Sequence, residues 1–211
     1  MSSHPSTAWL ELLDWRREAS ALYARVREEL RRDPESAHHL WQTGRNILFK
    51  THSQSPLDPQ ARAAFQELPC WPYDPALAFS ARVEAVEPQE RLSVPSSTGQ
   101  EMPLVRFGRV TLPLGTLDVY WIDVYGGGMF LPFRDATSGQ QSYGGGRYLL
   151  DTAKSADLGS TPSDITASGE LVLDFNFAYH PSCFYDPRWS CPLAPPQNVL
   201  GVPVRAGERV S

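Results

Sequence analysis

From Ser6 to Arg32 the apolar positions Trp9, Leu12, Leu13, Leu22, Tyr23, Val26 and Leu30 recur at three- and four-residue steps, with arginine and glutamate between them. That is the period of one long amphipathic helix. Ser6 or Thr7 can cap its start. Asp33-Pro34 closes it, because the residue before a proline is steered out of the helical region. A short second helix is predicted over Glu35 to Gln42. Asp58 then stands where a helix cap belongs and Pro59 at the first helical position, where a missing N–H costs nothing, so a third helix is expected to reach about Glu67. Beyond the run Pro69-Cys70-Trp71-Pro72-Tyr73-Asp74-Pro75 alternation replaces the helical period. Turn residues then punctuate the chain every ten or so positions.

The alternating segments predict strands at Leu77 to Glu87, Glu90 to Val94, Leu104 to Leu112, Thr116 to Tyr125, Met129 to Arg134, Gly146 to Asp151, Leu171 to Tyr179 and Leu200 to Arg205. Short connections make them antiparallel. In Thr116 to Tyr125, Leu117, Val119 and Trp121 share one face and Tyr120, Ile122 and Val124 the other, so both faces are expected to be covered, at the centre of the sheet. The fold class expected is mostly β: an antiparallel, partly closed small barrel, or a sandwich, preceded by a helical N-terminal arm. The boundaries are residues 1–54 for the arm and 55–211 for a β domain with a short leading helix.

Composition narrows the partners. The 211 residues carry a net charge of -5 with both signs scattered, so no basic footprint for a phosphate backbone exists and nucleic acid is not an expected partner. All basic residues but Lys50 and Lys154 are arginine, a bias of no functional weight. The start Met-Ser-Ser-His-Pro lacks the basic and apolar regions of a secretory signal, and no apolar run approaches the roughly 18 residues of a membrane span. A cytoplasmic, membrane-free protein with Cys70, Cys183 and Cys191 reduced is the expectation. His4, His38, His39 and His52, all in the arm, are expected to face solvent.

Several motifs follow one another: the turn Phe133-Arg134-Asp135, the segment Tyr143-Gly-Gly-Gly-Arg147-Tyr148, the strand Leu173-Asp174-Phe175-Asn176 running to Pro181-Ser-Cys183, then Cys191-Pro-Leu-Ala-Pro-Pro-Gln-Asn198, and a closing Ala206-Gly207-Glu208. In this order they resemble the bacterial and archaeal domain-of-unknown-function family 1684, over roughly residues 55 to 208. The resemblance implies no assigned activity. Where members read Ala-Tyr-Asn-Pro this chain has Ala178-Tyr179-His180-Pro181, so a reaction shared by the family cannot rest on His180. Exported relatives leave a Cys183–Cys191 bond open.

The residues themselves offer several chemistries. Arg134 and Arg147 flank one predicted hairpin turn and on paired strands can open into one cavity, where two guanidinium groups suit a carboxylate or phosphate. Equally, Asp135, Asp151 and Asp174 can neutralise them as scaffolding. Gly144, Gly145 and Gly146 can bring backbone N–H groups to an anion, or bend a strand at a barrel corner. The spacing is not that of a P-loop. Asp174 and Asn176, two apart on a predicted strand, would face one way as a polar floor, with Asp174 a general base if burial raises its pKa; the alternative is that they satisfy turns. His180, Cys183 and Cys191 supply soft ligands without a recognised zinc spacing or a fourth ligand. A reduced structural thiol pair, a disulfide and a nucleophilic cysteine are the other readings, and Cys70 reads as core filler. No Gly-x-Ser-x-Gly, His-Glu-x-x-His or Cys-x-x-Cys motif occurs.

The leading expectation is therefore binding of a small anionic metabolite by Arg134 and Arg147 against the glycine-rich backbone, with Asp135, Tyr143, Gly145, Asp174 and Asn176 around it and no cofactor. The alternatives are a hydrolase or lyase using Asp174 or His180 for proton transfer, and a module that pairs into a homodimer through its N-terminal helix.

Overall fold

A computed structural model describes residues 5–160 and 169–210. Three aspartate–proline pairs start helical segments. Asp33 caps α2 (Pro34–Thr51) by accepting from the N–H groups of Glu35 and Ser36, and Asp58 caps α3 (Pro59–Ala64) in the same way through Gln60 and Ala61. Asp74 repeats the device ahead of a single 3₁₀ turn at Pro75–Leu77. Each pair satisfies orphan donors with the carboxylate and places proline where no donor is needed. The first helix, α1 (Pro5–Leu30), is as long as its apolar period predicts.

The second helix is more than twice the length expected. It runs straight through Gly44, a residue that ordinarily weakens a helix interior. A Cβ at Gly44 would overlap the Leu22 side chain, so the glycine is where α2 crosses α1, and close packing outweighs propensity.

Among the described residues, seven strands form two antiparallel sheets. β2 (Glu84–Pro95), β3 (Glu101–Leu112), β4 (Gly115–Ile122), β5 (Met129–Phe133) and β6 (Arg147–Asp151) make a five-stranded meander with β4 at its centre. β1 (Ala78–Arg82) and β7 (Glu170–Asp174) form a separate ladder, with Phe79 opposite Leu173. The sheets do not close into a barrel, and a sandwich-like arrangement of open sheets replaces that expectation. The reason lies at Val83. There the chain leaves the ladder and enters the meander, packing its side chain into the space that a Cβ on Gly108 would occupy. The strand predicted over Leu77–Glu87 is thus two strands in two sheets, a corner of the kind by which strands switch sheets.

Both faces of the meander are covered, as the two apolar faces of β4 require. On one, Leu117, Val119, Leu131 and Phe133 meet Ala81, Leu171 and Leu173 of the ladder. On the other, Tyr120, Ile122, Phe130 and Tyr148 meet Leu22, Tyr23 and Val26 of α1 and Ala37 and Trp41 of α2. The helical arm is thereby the third layer of the fold. Its apolar stripe serves the chain's own sheet over its C-terminal half, while Trp9 and Leu10 stand 72% and 65% exposed. His38 is buried as well, between Trp41, Tyr73 and Phe177, which overturns its expected exposure; His39 is exposed, and His4 lies outside the described residues. Among the described residues no helix is long and apolar enough to cross a membrane.

Two other strands end differently from their patterns. β7 stops at Asp174, whose carboxylate accepts from Asn176 N–H and starts a 3₁₀ turn over Phe175–Phe177. The alternating segment Leu200 to Arg205 joins no ladder. Its continuation is held by buried side chains: Val204 N–H donates to Asp135 Oδ2 at 2.7 Å, and Arg147 donates to the carbonyls of Val204, Ala206 and Glu208.

Candidate functional site

Arg147 and Arg134 do not converge on a cavity. Arg147 is the register partner of Phe133 and lies over its ring, while Arg134, one residue further along the chain, runs its Cγ beside Gly146 on the other side. Adjacent strand residues face opposite ways, and the pairing leaves no alternative. Arg147 is 0% exposed. Its Nη1 donates to the carbonyls of Ala206 and Glu208 and its Nη2 to the Val204 carbonyl and, at 3.3 Å, to Asp135 Oδ1, with Trp71 and Phe133 stacked on its faces. Burial pulls its pKa down and Asp135 opposes the shift. This is an internal splint in place of the anion-binding arginine expected. Arg134 is half-buried and its guanidinium has no hydrogen-bond or ion-pair partner among the described residues.

The surrounding candidates are likewise committed to the scaffold. Asp135 accepts from Thr137 N–H, the Thr137 hydroxyl and Val204 N–H. Gly146 holds φ of +98° and a Cβ there would press on Phe133 O, so glycine is required at that bend. Gly145 is packed beneath the Tyr143 ring. Asn176 accepts from the Asp74 N–H with its side-chain oxygen and divides its amide N–H groups between the Asp74 carbonyl and Asp174 Oδ1, so it ties Asp174 to the Asp74 turn. Tyr143 N–H donates to His180 Nε2 at 3.2 Å. His180 is buried, and desolvation brings its pKa down to about 4, leaving a neutral ring. Its Nδ1 is buried without a hydrogen-bond partner among the described residues. No three His, Cys, Asp or Glu side chains among the described residues are gathered as a metal would need.

Sequence reasoning missed the partner of His180. Glu208 is buried and its carboxylate accepts from Arg45 Nε and Nη2 at 2.9 and 2.5 Å, from His180 N–H at 2.7 Å and from the Tyr185 hydroxyl at 2.7 Å. Arg45 in turn is enclosed by Trp41, Phe49 and Tyr179. Nothing in the helical pattern around Arg45 separates it from the exposed arginines of the arm, although the closing Ala206-Gly207-Glu208 was already part of the motif series.

Asp174 is the sequence candidate that the fold does bring to a cavity. A cleft of about 1000 Å³ opens between the C-terminal end of α1 and the β1–β7 ladder. Its walls are mixed. Leu30, Phe79, Leu171 and Val172 supply apolar surface, Asp174 and Tyr73 add polar groups, and Arg27 of α1 and Arg31, in the turn that follows it, also line the cleft. Asp174 Oδ2 accepts from the Tyr73 hydroxyl at 3.3 Å, and Oδ1 accepts from Asn176. Burial raises the Asp174 pKa to about 6 against the lowering effect of those hydrogen bonds, and pushes the Tyr73 hydroxyl up also. Arg27 is tied to Asp157, donating to its carbonyl at 2.9 Å. Arg31 is exposed and free of ion pairs and hydrogen bonds among the described residues. The cleft thus combines apolar walls, one free cation at the rim and one carboxyl poised near neutrality, which is the make-up of a small-molecule site.

Comparison with known proteins agrees with the architecture and adds no chemistry. Residues 63–209 match the sequence profile of a family described as "Protein of unknown function (DUF1684)". The chain is similar to an uncharacterised protein of Haloarcula marismortui whose structure was solved by solution NMR, at 32% identity over 87% of this chain and 97% of that one, with a TM-score of 0.59. No curated protein matches.

Proposed function

The chain belongs to this family of unknown function, and since membership assigns no reaction, its own side chains must suggest one; we propose that it binds a small molecule with an apolar body and an anionic end in the cleft between α1 and the β1–β7 ladder. Arg31 meets the anionic end and Leu30, Phe79 and Leu171 the body. What supports the reading is the cleft itself, which gathers an unpaired arginine, a buried carboxyl and apolar walls in one place. The anion-binding role expected of Arg134 and Arg147 passes to arginines of the helical arm. Octanoate, an aliphatic carboxylate, is a suitable probe. Its titration should shift the NMR signals of Leu30, Phe79 and Leu171, and Arg31→Glu should weaken it about tenfold, the loss of one charge-assisted hydrogen bond of about 1.5 kcal/mol. Equal affinity in the variant would remove Arg31 from the site, and no shifts at those residues would remove the cleft.

A second reading makes the same cleft a place of proton transfer by Asp174, and the raised pKa beside Tyr73 favours it. A carboxyl whose folded pKa stands at about 6, against an ordinary 3.8, holds its proton more tightly in the folded protein. Its contribution to stability is complete below about pH 4 and is lost as pH rises through 6, roughly 3 kcal/mol in all. Asp174→Asn stays neutral throughout. Urea midpoints between pH 4 and 7 should therefore fall in the wild type and flatten in the variant; parallel curves would show that Asp174 titrates normally and end this reading.

A further inference from the structure

The loop after β7 places two cysteines together, away from the cleft. Cys183 lies in the short helix α4 (Ser182–Tyr185), and its main-chain N–H donates to Cys191 Sγ at 3.3 Å. The Cys183 thiol donates to the Tyr143 hydroxyl across 3.9 Å. Cys191 is fixed from behind by the β2–β3 turn, donating its N–H to Ser97 Oγ at 3.2 Å and accepting from Ser97 N–H at 2.8 Å. Both sulfurs are thus held in a frame that leaves them neighbours without a bond between them.

The pair is asymmetric. Both are buried, Cys191 (3% exposed) more deeply than Cys183 (9%). The hydrogen bond with the Cys191 side chain, aided by Ser97 and Tyr143, outweighs burial and brings the Cys183 thiol down to about 6. The same bond, together with burial, pushes Cys191 far up. Cys70 is separate from them, its thiol raised to about 12 by burial. A thiolate beside a protonated partner is the arrangement on which thiol–disulfide couples run.

We infer that Cys183 and Cys191 form a reversible dithiol–disulfide site, with Cys183 the attacking sulfur, Cys191 the resolving sulfur and a small hydroperoxide the oxidant. With hydrogen peroxide, the Cys183 thiolate attacks one oxygen, an S–O bond forms and the O–O bond breaks. The leaving hydroxide takes up a proton and departs as water, and Cys183 is left as a sulfenic acid. Cys191 then attacks that sulfur. The S–S bond forms, the S–O bond breaks, and the second hydroxide leaves as water with the proton of Cys191. Two thiols and one peroxide become one disulfide and two waters; the sulfurs lose two electrons and the peroxide oxygens gain them. Tyr143, whose pKa burial raises to about 12, keeps its proton and donates it as a hydrogen bond to the thiolate. A dithiol reductant reverses the couple.

The experiment treats the whole protein with one equivalent of hydrogen peroxide, blocks remaining thiols with iodoacetamide and maps the peptides without reduction. The expected result is a linked Cys183–Cys191 peptide, lost on addition of dithiothreitol, with Cys70 alkylated only after unfolding. Cys191→Ser keeps an acceptor for the Cys183 N–H; it should stall at the sulfenic acid, captured by dimedone at Cys183. Cys183→Ser should leave Cys191 a free thiol. In the untreated protein, alkylation of Cys183 should be half-maximal near pH 6 and shift at least one pH unit higher in Cys191→Ser. Recovery of both cysteines as free thiols after peroxide would overturn the inference, as would dimedone capture at Cys191 in place of Cys183.

Discussion

Arg147→Met should lower the unfolding free energy by about 3–5 kcal/mol, the range for removing one partner of a buried ion pair. The side chain is replaced at similar volume, so cavity formation contributes little. What is lost is neutralisation of Asp135, which is itself buried, and the donors to the carbonyls of Val204, Ala206 and Glu208. An unpaired buried acceptor costs about 1–3 kcal/mol, and three are exposed to that loss together. Lysine does not rescue the site, because a single ammonium cannot fork between the carbonyls and the carboxylate. Asp135→Asn in the Arg147→Met background should recover part of the loss, since the orphaned charge is then removed. Denaturant midpoints of the wild type, the two single variants and the double variant measure this, and hydrogen exchange at Val204 N–H reports whether the C-terminal segment comes loose. A loss below about 1 kcal/mol would put Arg147 among the ordinary surface residues and contradict its place as a splint.

The chain shows why some of this was legible and some was not. The start of α3 was, because Asp58-Pro59 writes both the cap and the first helical residue into adjacent positions, whereas Asp33-Pro34, read as the end of α1, is also the cap and first residue of α2. So was the central strand, because β4 needs apolar residues on both faces to serve two cores. The extent of α2 was not: a helix interior tolerates Gly44 here because Leu22, twenty-two positions away, packs where its side chain would be, and no local pattern records that contact. The last segment was misread for a related reason. Its alternation resembles a strand, but Arg147 and Asp135 take the part of the neighbouring strand, and no local pattern records that a side chain is satisfying the backbone.

The same distinction runs through the site. Arginine, glycine and aspartate concentrated around one turn are what an anion pocket and a buried splint both require, so residue type alone could not choose between them. Register decides it, by placing Arg147 on the Phe133 face and Arg134 on the other. Asp174 was legible as a candidate base, and its position beside Tyr73 on a cleft wall follows from β7 ending where the carboxylate caps the next turn. The cations of the same cleft were not, because Arg27 near the end of α1 and Arg31 in the turn after it lie over a hundred residues earlier, among arginines that look alike in sequence.

Glu208→Gln is expected to cost about 3–4 kcal/mol, as for breaking a buried pair from one side, and to loosen the helical arm in particular. The carboxylate is where three parts of the fold meet: Arg45 from α2, Tyr185 from α4 and the His180 main chain after β7. Glutamine keeps the shape but removes the charge, leaving the Arg45 guanidinium enclosed by Trp41, Phe49 and Tyr179 with no counter-ion. Burial alone would lower the Arg45 pKa, and Glu208 together with Tyr23 and Tyr185 more than reverses that, so the arginine is charged in the native protein and the variant must bury that charge without its carboxylate. Arg45→Met alone should cost a similar amount by orphaning the carboxylate. The double variant should be more stable than the sum of the single losses predicts, by about 2 kcal/mol, because neither charge then remains. Denaturant midpoints supply the cycle. Hydrogen exchange distinguishes its cause: amides of α2 should exchange faster in Glu208→Gln, while those of β4, in the middle of the sheet, hold their protection until global unfolding. Equal acceleration in both would mean that the pair stabilises the molecule as a whole, and additivity of the single losses would mean that Arg45 and Glu208 act independently despite their contact.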